Sequence, residues 1–222
     1  MKIVNIICSV ILAITLPVVS ICGGFNLAGR LPDLYSYEMK ATEALNSISI
    51  EENEDQMGAF FSSYMTGKQE TFQLTYLFGE NTDNLFLSEE QGTMERYKAT
   101  LDQSLVIGGI ALLLALISYF LIYKQNLKQL LRTSLIRGVP VYLALSGCLL
   151  AAITVGAFRS RILQYLFPYE IKEFMVLPQL LPESYFLHLF LVSLFISLII
   201  MSLIGYFTWK ITKPRRIFGA AR

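Results

Sequence analysis

Histidine, tryptophan and cysteine are scarce in this sequence, and their scarcity narrows the chemistry it can support. Among 222 residues there are one histidine, one tryptophan and three cysteines. The cysteines are Cys8, Cys22 and Cys148, and segment 23–103 has none, which excludes a disulfide framework there. We therefore predict neither a metal site nor a cofactor, and the single histidine, His188, is the first candidate for proton transfer.

Charged side chains are missing from long stretches of the chain. Hydrophobic residues make up 54% of the sequence and charged residues 16%, a balance typical of a membrane protein. Because ion-coupled transporters place charges at the membrane midplane, a transporter is disfavoured. Four runs approach or exceed the roughly 18 apolar residues of a spanning helix: Ile3–Cys22, Ser104–Tyr123, Gly138–Ala157 and Tyr185–Phe207.

Acidic residues are missing from three segments. Segments 1–2, 124–137 and 208–222 carry ten of the 18 lysines and arginines, whereas all 17 aspartates and glutamates lie in 23–103 and 158–184. By the positive-inside rule, both termini and the 124–137 loop are cytoplasmic, and the acidic segments face outward. A few cations beside a bilayer are the ordinary topology signal, so no nucleic-acid partner is predicted.

These patterns predict an all-α membrane protein of the cell membrane, with four transmembrane helices and a small mixed α/β extracytoplasmic cap between helices 1 and 2. The chain is multi-pass, and its first run is expected to be retained as a span rather than cleaved. The predicted order is transmembrane helix 1 at 1–22, the cap at 23–103, transmembrane helix 2 at 104–123, a basic cytoplasmic loop at 124–137, transmembrane helix 3 at 138–157, an outer loop at 158–184, transmembrane helix 4 at 185–207 and a basic cytoplasmic tail at 208–222.

Local signals in the first part of the cap predict helices. Residues 31–48 are typical of a short helix. A capping pattern at Ser49–Glu52 predicts a second helix that runs to about Met65 and stops at Gly67.

The second part of the cap predicts a hairpin and a long helix. Apolar and polar residues alternate in Thr71–Phe78, which indicates a strand, and Leu85–Leu87 is the expected return strand. Ser88–Gln91 is a second capping pattern, and the helix it begins is expected to continue into transmembrane helix 2.

Small residues recur every four positions in the third apolar run, and several lie on one face of the fourth. Such rows let neighbouring membrane helices approach closely, so we expect both to be packing faces. The residues are Ala144, Cys148, Ala152 and Gly156 in the third run, with Ser193, Ser197 and Gly205 in the fourth.

The loop between the third and fourth runs is rich in aromatic, basic and proline residues. It is too short and too interrupted to span a membrane, so we expect it to lie in the headgroup region under the cap. A membrane lipid is the expected partner there. The predicted lipid-binding residues of this loop and its flanks are Arg159, Arg161, Tyr165, Phe167, Tyr169 and Tyr185.

Ser184 and His188 lie four residues apart and share one face of the last helix. A serine and a histidine can act as a nucleophile and its base, but that arrangement needs a third group to orient the histidine. The alternatives are that Ser184 caps the helix and that His188 bridges two helices.

The segment Leu181–His188, LPESYFLH, resembles the start of the last helix in the bacterial lipoprotein intramolecular acyltransferase (Lit) family. Phe167-Pro168 after the third run and Leu177-Pro178 in the loop resemble the same family. The order of four spans with an outer segment after the first is similar over most of the chain.

The resemblance implies an acyl transfer at the outer leaflet. Enzymes of this family move an acyl chain from the glycerol of a diacylglyceryl cysteine to the amine of that cysteine. Holding donor and acceptor in one molecule supplies proximity, which leaves the protein to provide a base and donors for the ester oxyanion. Diacylglyceryl lipoproteins are then the implied partners.

The chain departs from the family at two histidine positions. One lies a few residues before the Phe-Pro pair, where this chain has Ile162-Leu163-Gln164, and the other lies within Glu90–Lys98. A buried carboxylate, Glu170 or Glu183, would then have to replace the base.

Three hypotheses follow from these residues, and transport or signalling, the third, is the least favoured. The chain is either a divergent acyl-transfer enzyme with His188, Glu183 and Glu170 as catalytic candidates, or a non-catalytic relative that binds a lipid or a membrane-protein partner through the same cleft.

Overall fold

The fold is that of a computed structural model, which describes residues 2–48, 53–78, 81–166 and 175–213. In chain order its elements are α1 (Lys2–Ala28), α2 (Pro32–Thr42), α3 (Ala44–Ile48), α4 (Glu54–Met65), β1 (Thr75–Phe78), β2 (Asn81–Asn84), α5 (Ser88–Lys124), α6 (Lys128–Thr154), α7 (Gly156–Leu166), α8 (Leu177–Leu180) and α9 (Glu183–Thr212).

Four of these helices are long and apolar enough to cross a membrane, which confirms the predicted multi-pass membrane protein. They are α1, α5, α6 and α9. Three of them contain a whole apolar run, and α6 contains the third run as far as Thr154. The first helix is central, because it packs against α5, α6 and α9. The segment from α2 to the first turns of α5 packs at one end of this bundle, and we call these elements the cap and that end the cap end.

The cap is a helical unit, so the expectation of a mixed α/β cap is corrected. A hairpin is present, with Thr75 opposite Asn84 and Phe78 opposite Asn81, but it has two strands of four residues and forms no layer of its own. The return strand lies at Asn81–Asn84, so its predicted position at Leu85–Leu87 is wrong.

Capping explains where the cap helices begin and end. Pro32 occupies the first turn of α2, and Glu43 in the left-handed region (φ 49°) separates α2 from α3. Asn53 and Gln56 form a capping box at the start of α4, and Gly67 (φ 76°) follows its end, as predicted. The proposed cap at Ser49–Glu52 falls outside the described residues.

Aromatic rings fill the core of the cap. Phe72 and Phe86 lie 4.5 Å apart between ring centroids, and Phe61 lies 5.2 Å from Tyr35. Tyr35 stacks on Tyr185 of α9 at 5.3 Å, so the cap core is continuous with the cap end of the bundle. Burial of large rings at such distances is the main stabilising contribution, since each fully buried apolar side chain is worth about 1.5–3 kcal/mol.

Small residues bring α1 and α9 together at Gly24. A side chain at Gly24 would overlap the Ser193 carbonyl, and its Cβ would lie 2.9 Å from the Ser197 Cβ. Ser193 and Ser197 are buried, which confirms the packing face predicted for the fourth run at these two residues.

The packing face of α6 differs from the prediction. Cys148 and Ala144 are exposed, whereas Ser134, Gly138 and Tyr142 are buried. Ser134 shares a 2.7 Å hydrogen bond with Ser9 of α1, and Tyr142 shares one of 2.8 Å with Ser197. Polar partners on α1 and α9 therefore decide which face of α6 turns inward.

Replacement of Gly24 by alanine is expected to lower the melting temperature of the protein in detergent by several degrees. A Cβ there meets backbone and helix atoms that cannot give way cheaply, and overpacking costs about 1–3 kcal/mol. Gly109→Ala is the matched control, because a Cβ at Gly109 of α5 meets nothing within 4 Å. Equal melting temperatures for the two variants would contradict the close contact.

Candidate lipid groove

The first turns of α9 present two different faces at the cap end. Glu183, Phe186 and Phe190 are spaced i, i+3 and i+7 and lie on one side of the helix. Ser184 and His188 lie on another, and a rotation of about 100° per residue puts His188 about 160° from Phe186 and Phe190. The candidate residues of α9 therefore serve two separate sites.

The face with Phe186 and Phe190 lines an apolar groove. Two adjoining cavities of about 270 and 210 Å³ share Phe25 and Phe190. Their combined size is that of a small-molecule site, roughly 300–1,000 Å³. The inner cavity is lined by Ile21, Cys22, Phe25, Ser104, Leu149, Phe190, Ser193 and Leu194.

The mouth of the groove lies between α5 and α7. Tyr97 and Thr100 of α5 line the outer cavity together with Arg161 and Ile162 of α7. The Arg161 side chain is exposed, so its guanidinium can remain solvated while its stem covers apolar surface. The arrangement places a cation beside an apolar channel, which suits a ligand with an acyl chain and an ester or anionic head.

An ion pair joins α7 to α9 on the same side. The Arg159 guanidinium lies 3.7 Å from the Glu183 carboxylate, and both side chains are about half exposed or more. Such an exposed pair contributes little to stability, about 0–1 kcal/mol. Glu183 is thus not the buried carboxylate predicted from the sequence.

The two segments where the resemblance puts family histidines meet at this mouth. Ile162 of the 162–164 segment faces the outer cavity, and so does Tyr97 of the 90–98 segment. The structure thus brings together two segments that are about 65 residues apart in the sequence. Among the described residues that line the two cavities, neither an imidazole nor a carboxylate occurs.

Buried tyrosines fix the wall of the groove at Tyr97. The Tyr97 and Tyr185 hydroxyls lie 3.2 Å apart, and the Tyr35 hydroxyl donates to the Gly29 carbonyl at 2.6 Å. Burial raises the pKa of Tyr35 well above its ordinary value, so Tyr35 stays a neutral donor. Tyr185 was expected to bind lipid, but it is fully buried in the cap core.

The other face of α9 binds a buried carboxylate of the cap. Glu38 of α2 is 1% exposed, and it accepts a hydrogen bond from the Ser184 hydroxyl. Its second oxygen lies 2.7 Å from Nδ1 of His188. Glu38 is the third group that the sequence did not reveal for the Ser184–His188 pair. It lies between the two side chains, so the serine, the histidine and the carboxylate do not form a catalytic relay.

A second buried carboxylate holds α8 against the start of α5. Glu90 is 3% exposed, and its two oxygens accept from the backbone N–H groups of Leu87 (2.7 Å) and Leu177 (2.6 Å). The helix therefore begins at Leu87 as its N-cap, one residue before the predicted capping serine. Because α8 leads directly into α9, Glu90 fixes where α9 starts.

The predicted site residues thus have different outcomes. Arg161 lines the groove, Arg159 and Glu183 pair with each other between α7 and α9, and His188 lies on the side of α9 opposite Phe186 and Phe190. Phe167, Tyr169 and Glu170 fall outside the described residues, as does the side chain of Tyr165.

Sequence reasoning missed Glu38 and Glu90. Glu38 follows Leu34 and Tyr35 by four and three residues on the buried face of α2, and a charge on an apolar helix face is a signal that could have identified it. Glu90 was interpreted as part of a capping pattern, and its link to Leu177 has no sequence signal.

Together these features define a four-helix membrane protein with an apolar groove beneath a helical cap. Solved structures of one bacterial membrane enzyme are similar to it over nearly the whole chain.

These are in meso structures of the membrane integral lipoprotein intramolecular transacylase Lit from Bacillus cereus. A variant with a histidine replaced by arginine is 15% identical, with a TM-score of 0.71 over 97% of this chain and 95% of that one. A second structure is 15% identical, with a TM-score of 0.68 over 96% and 100%. This chain therefore has a Lit-like fold, as the resemblance implied. No protein-family model and no curated protein sequence matches it.

Glu90→Gln is expected to destabilise the protein by about 1–3 kcal/mol, because an amide has one acceptor oxygen for two buried N–H donors. Hydrogen exchange should accelerate at Leu177 more than in the middle of α9. Glu95→Gln, at an exposed position of the same helix, is the control. Unchanged protection of the Leu177 amide in the Glu90 variant would show that the clamp is not needed.

Proposed function

We propose that this protein binds the acyl-glyceryl part of a membrane lipoprotein in the groove, at the outer leaflet of the cell membrane. The observation that carries the proposal is the groove itself, an apolar channel between α1, α5, α6, α7 and α9 with Arg161 at its mouth. The Lit-like fold supports a lipoprotein as the bound partner, because the similar solved structures are of a lipoprotein transacylase. With the cap outward, as the charge pattern predicts, the mouth is level with the outer headgroups.

The chemistry of the lining matches the parts of a diacylglyceryl anchor. One acyl chain fits against Phe25, Phe190 and Leu194, where it is removed from contact with other lipids. The Arg161 guanidinium is a donor for the ester carbonyl oxygen, and hydrogen bonds to charged groups are worth about 1.5–3 kcal/mol. Binding therefore needs both the channel and the cation.

Acyl transfer within the bound anchor is a second candidate function. The observation that favours it is that α7 carries Arg161, which lines the outer cavity, and Arg159, which pairs with Glu183 at the start of α9. Glu183 would take a proton from the attacking amine, and Arg161 would stabilise the oxyanion. Carboxylates are weaker bases than imidazoles, so we rank this function below binding. Glu170, which the sequence analysis predicted in the same role, stays a prediction.

Binding is tested with a synthetic diacylglyceryl-cysteine lipopeptide and the full-length protein in nanodiscs. Leu194→Trp fills the inner cavity and is expected to weaken binding at least about tenfold, as is Arg161→Ala. Leu198→Trp is the matched control, because Leu198 is an exposed residue one turn further along α9. If Leu194→Trp binds the lipopeptide as well as Leu198→Trp does, the groove is not the binding site.

Acyl transfer is tested by mass spectrometry of lipoprotein amino-terminal peptides from a bacterium that makes diacyl lipoproteins alone. With the protein present, one acyl group should move from glycerol to the cysteine amine at unchanged total mass. Glu183→Gln should abolish that shift and leave lipopeptide binding intact. An unchanged acyl pattern with the protein present in the membrane removes the second candidate and leaves the binding proposal to its own test.

A further inference from the structure

The single histidine of the chain is oriented by a carboxylate that is almost fully buried. Glu38 is 1% exposed, and its oxygens accept from Ser184 and His188. The contact joins Nδ1 of His188 to a Glu38 oxygen at 2.7 Å, which leaves Nε2 as the ring nitrogen that does not face the carboxylate. With the hydrogen on Nδ1, the lone pair is on Nε2, the state required of a general base.

The free nitrogen of His188 belongs to an accessible side chain. The imidazole side chain is 37% exposed, and within the part of the chain that the structure describes Nε2 has no hydrogen-bond partner. The ring of Tyr37 stands edge-on to it, with centroids 5.8 Å apart, and Tyr37 is itself exposed. A base and a phenol donor are therefore accessible at one place.

This place is at the end of a lipid-facing surface. Leu191 and Phe195 are exposed within about 60° of His188 around the axis of α9, and they continue away from the cap. His188 is five residues from the start of α9, or about 7.5 Å along the axis, so it lies at the cap end of this surface. A lipid lying along this surface would bring its ester to His188.

A structural latch is the competing explanation, because the same contacts join the cap to α9. Glu90 shows that this chain does bury a carboxylate as a clamp, but a clamp does not require an imidazole that stays exposed. The Ser184 contact already links α2 to α9. A carboxylate-oriented imidazole that stays exposed to lipid is typical of a site for proton transfer.

We propose that Glu38 and His188 form a second active site, which hydrolyses an ester of an outer-leaflet glycerolipid. His188 Nε2 takes a proton from water as the water oxygen bonds to the ester carbonyl carbon. The bond from that carbon to the glycerol oxygen then breaks, and the imidazolium returns the proton to the glycerol oxygen. The products are a fatty acid and a lysolipid, and Tyr37 donates to the carbonyl oxygen. This site lies across α9 from the groove, and its activity does not depend on lipoprotein binding.

The test uses the full-length protein in liposomes of phosphatidylglycerol with a labelled acyl chain, and measures released fatty acid and lysolipid. His188→Ala should lower kcat about a hundredfold or more and Glu38→Gln at least about tenfold. Tyr37→Phe, at an exposed residue that need not affect folding, should lower kcat about tenfold with little change in KM.

Asp55→Asn is the matched control, because it breaks another 2.7 Å ion pair of α2, with Lys40, at the exposed surface. It should leave hydrolysis unchanged. The site is supported if the wild type releases fatty acid and the His188 and Tyr37 variants release less, with melting temperatures that show these variants to be folded. The proposal is overturned if the wild type releases no fatty acid, or if folded His188→Ala releases as much as the wild type. Lower melting temperatures of the variants without any ester hydrolysis would identify a latch.

Discussion

The close contact between α1 and α9 at Gly24 is the constraint on which the rest of the structure depends. With no side chain at that point, α1 rests against the backbone of α9 at Ser193 and against Ser197. One residue further along α1 the large ring of Phe25 begins, and it stacks on Phe190 with centroids 5.8 Å apart. The inner cavity lies beside this contact, where Ile21, Cys22, Ser193 and Leu194 line it, and the outer cavity lies on the cap side of the two rings. The groove is therefore bounded by the small-residue contact and by the two rings.

The cap stabilises the groove from above without filling it. Its aromatic core meets the bundle at Tyr185 and Tyr97, on the sides of α9 and α5 that turn inward. Glu90 fixes the point at which α9 begins, and Glu38 attaches α2 to the far side of the same helix. Two buried carboxylates thus hold one helix end in place, and each does so through partners that are distant in the sequence.

Much of the architecture could be predicted from the sequence, because the four apolar runs and the distribution of charge are signals of single segments. The stop at Gly67 and the long helix into the second span were predicted for the same reason. The predicted packing face of α6 was wrong, because small residues indicate only where helices can approach each other. The hydrogen bonds of Ser134 and Tyr142 determine where the helices do approach.

The candidate sites were only partly predictable, since they depend on contacts between distant segments. Arg161 was identified by residue type and position, but its place in the groove requires α7 to pack beside α5. His188 was identified as the single histidine, and yet its partner Glu38 lies 150 residues away and its side of α9 is not that of the groove. The spacing of residues along α9 could not show that the proposed acyl-chain groove and the proposed proton-transfer site at His188 lie on different sides of the helix.

Photocrosslinking with a diacylglycerolipid that carries a diazirine in one acyl chain tests the central claim most directly. The account predicts labels in the peptides that contain Cys22 and Phe25 of α1 and Phe190 and Leu194 of α9, and loss of those labels in Leu194→Trp. Labels confined to the exposed surfaces of the bundle, such as Leu113 and Phe120 of α5, with none in those two peptides, would contradict it.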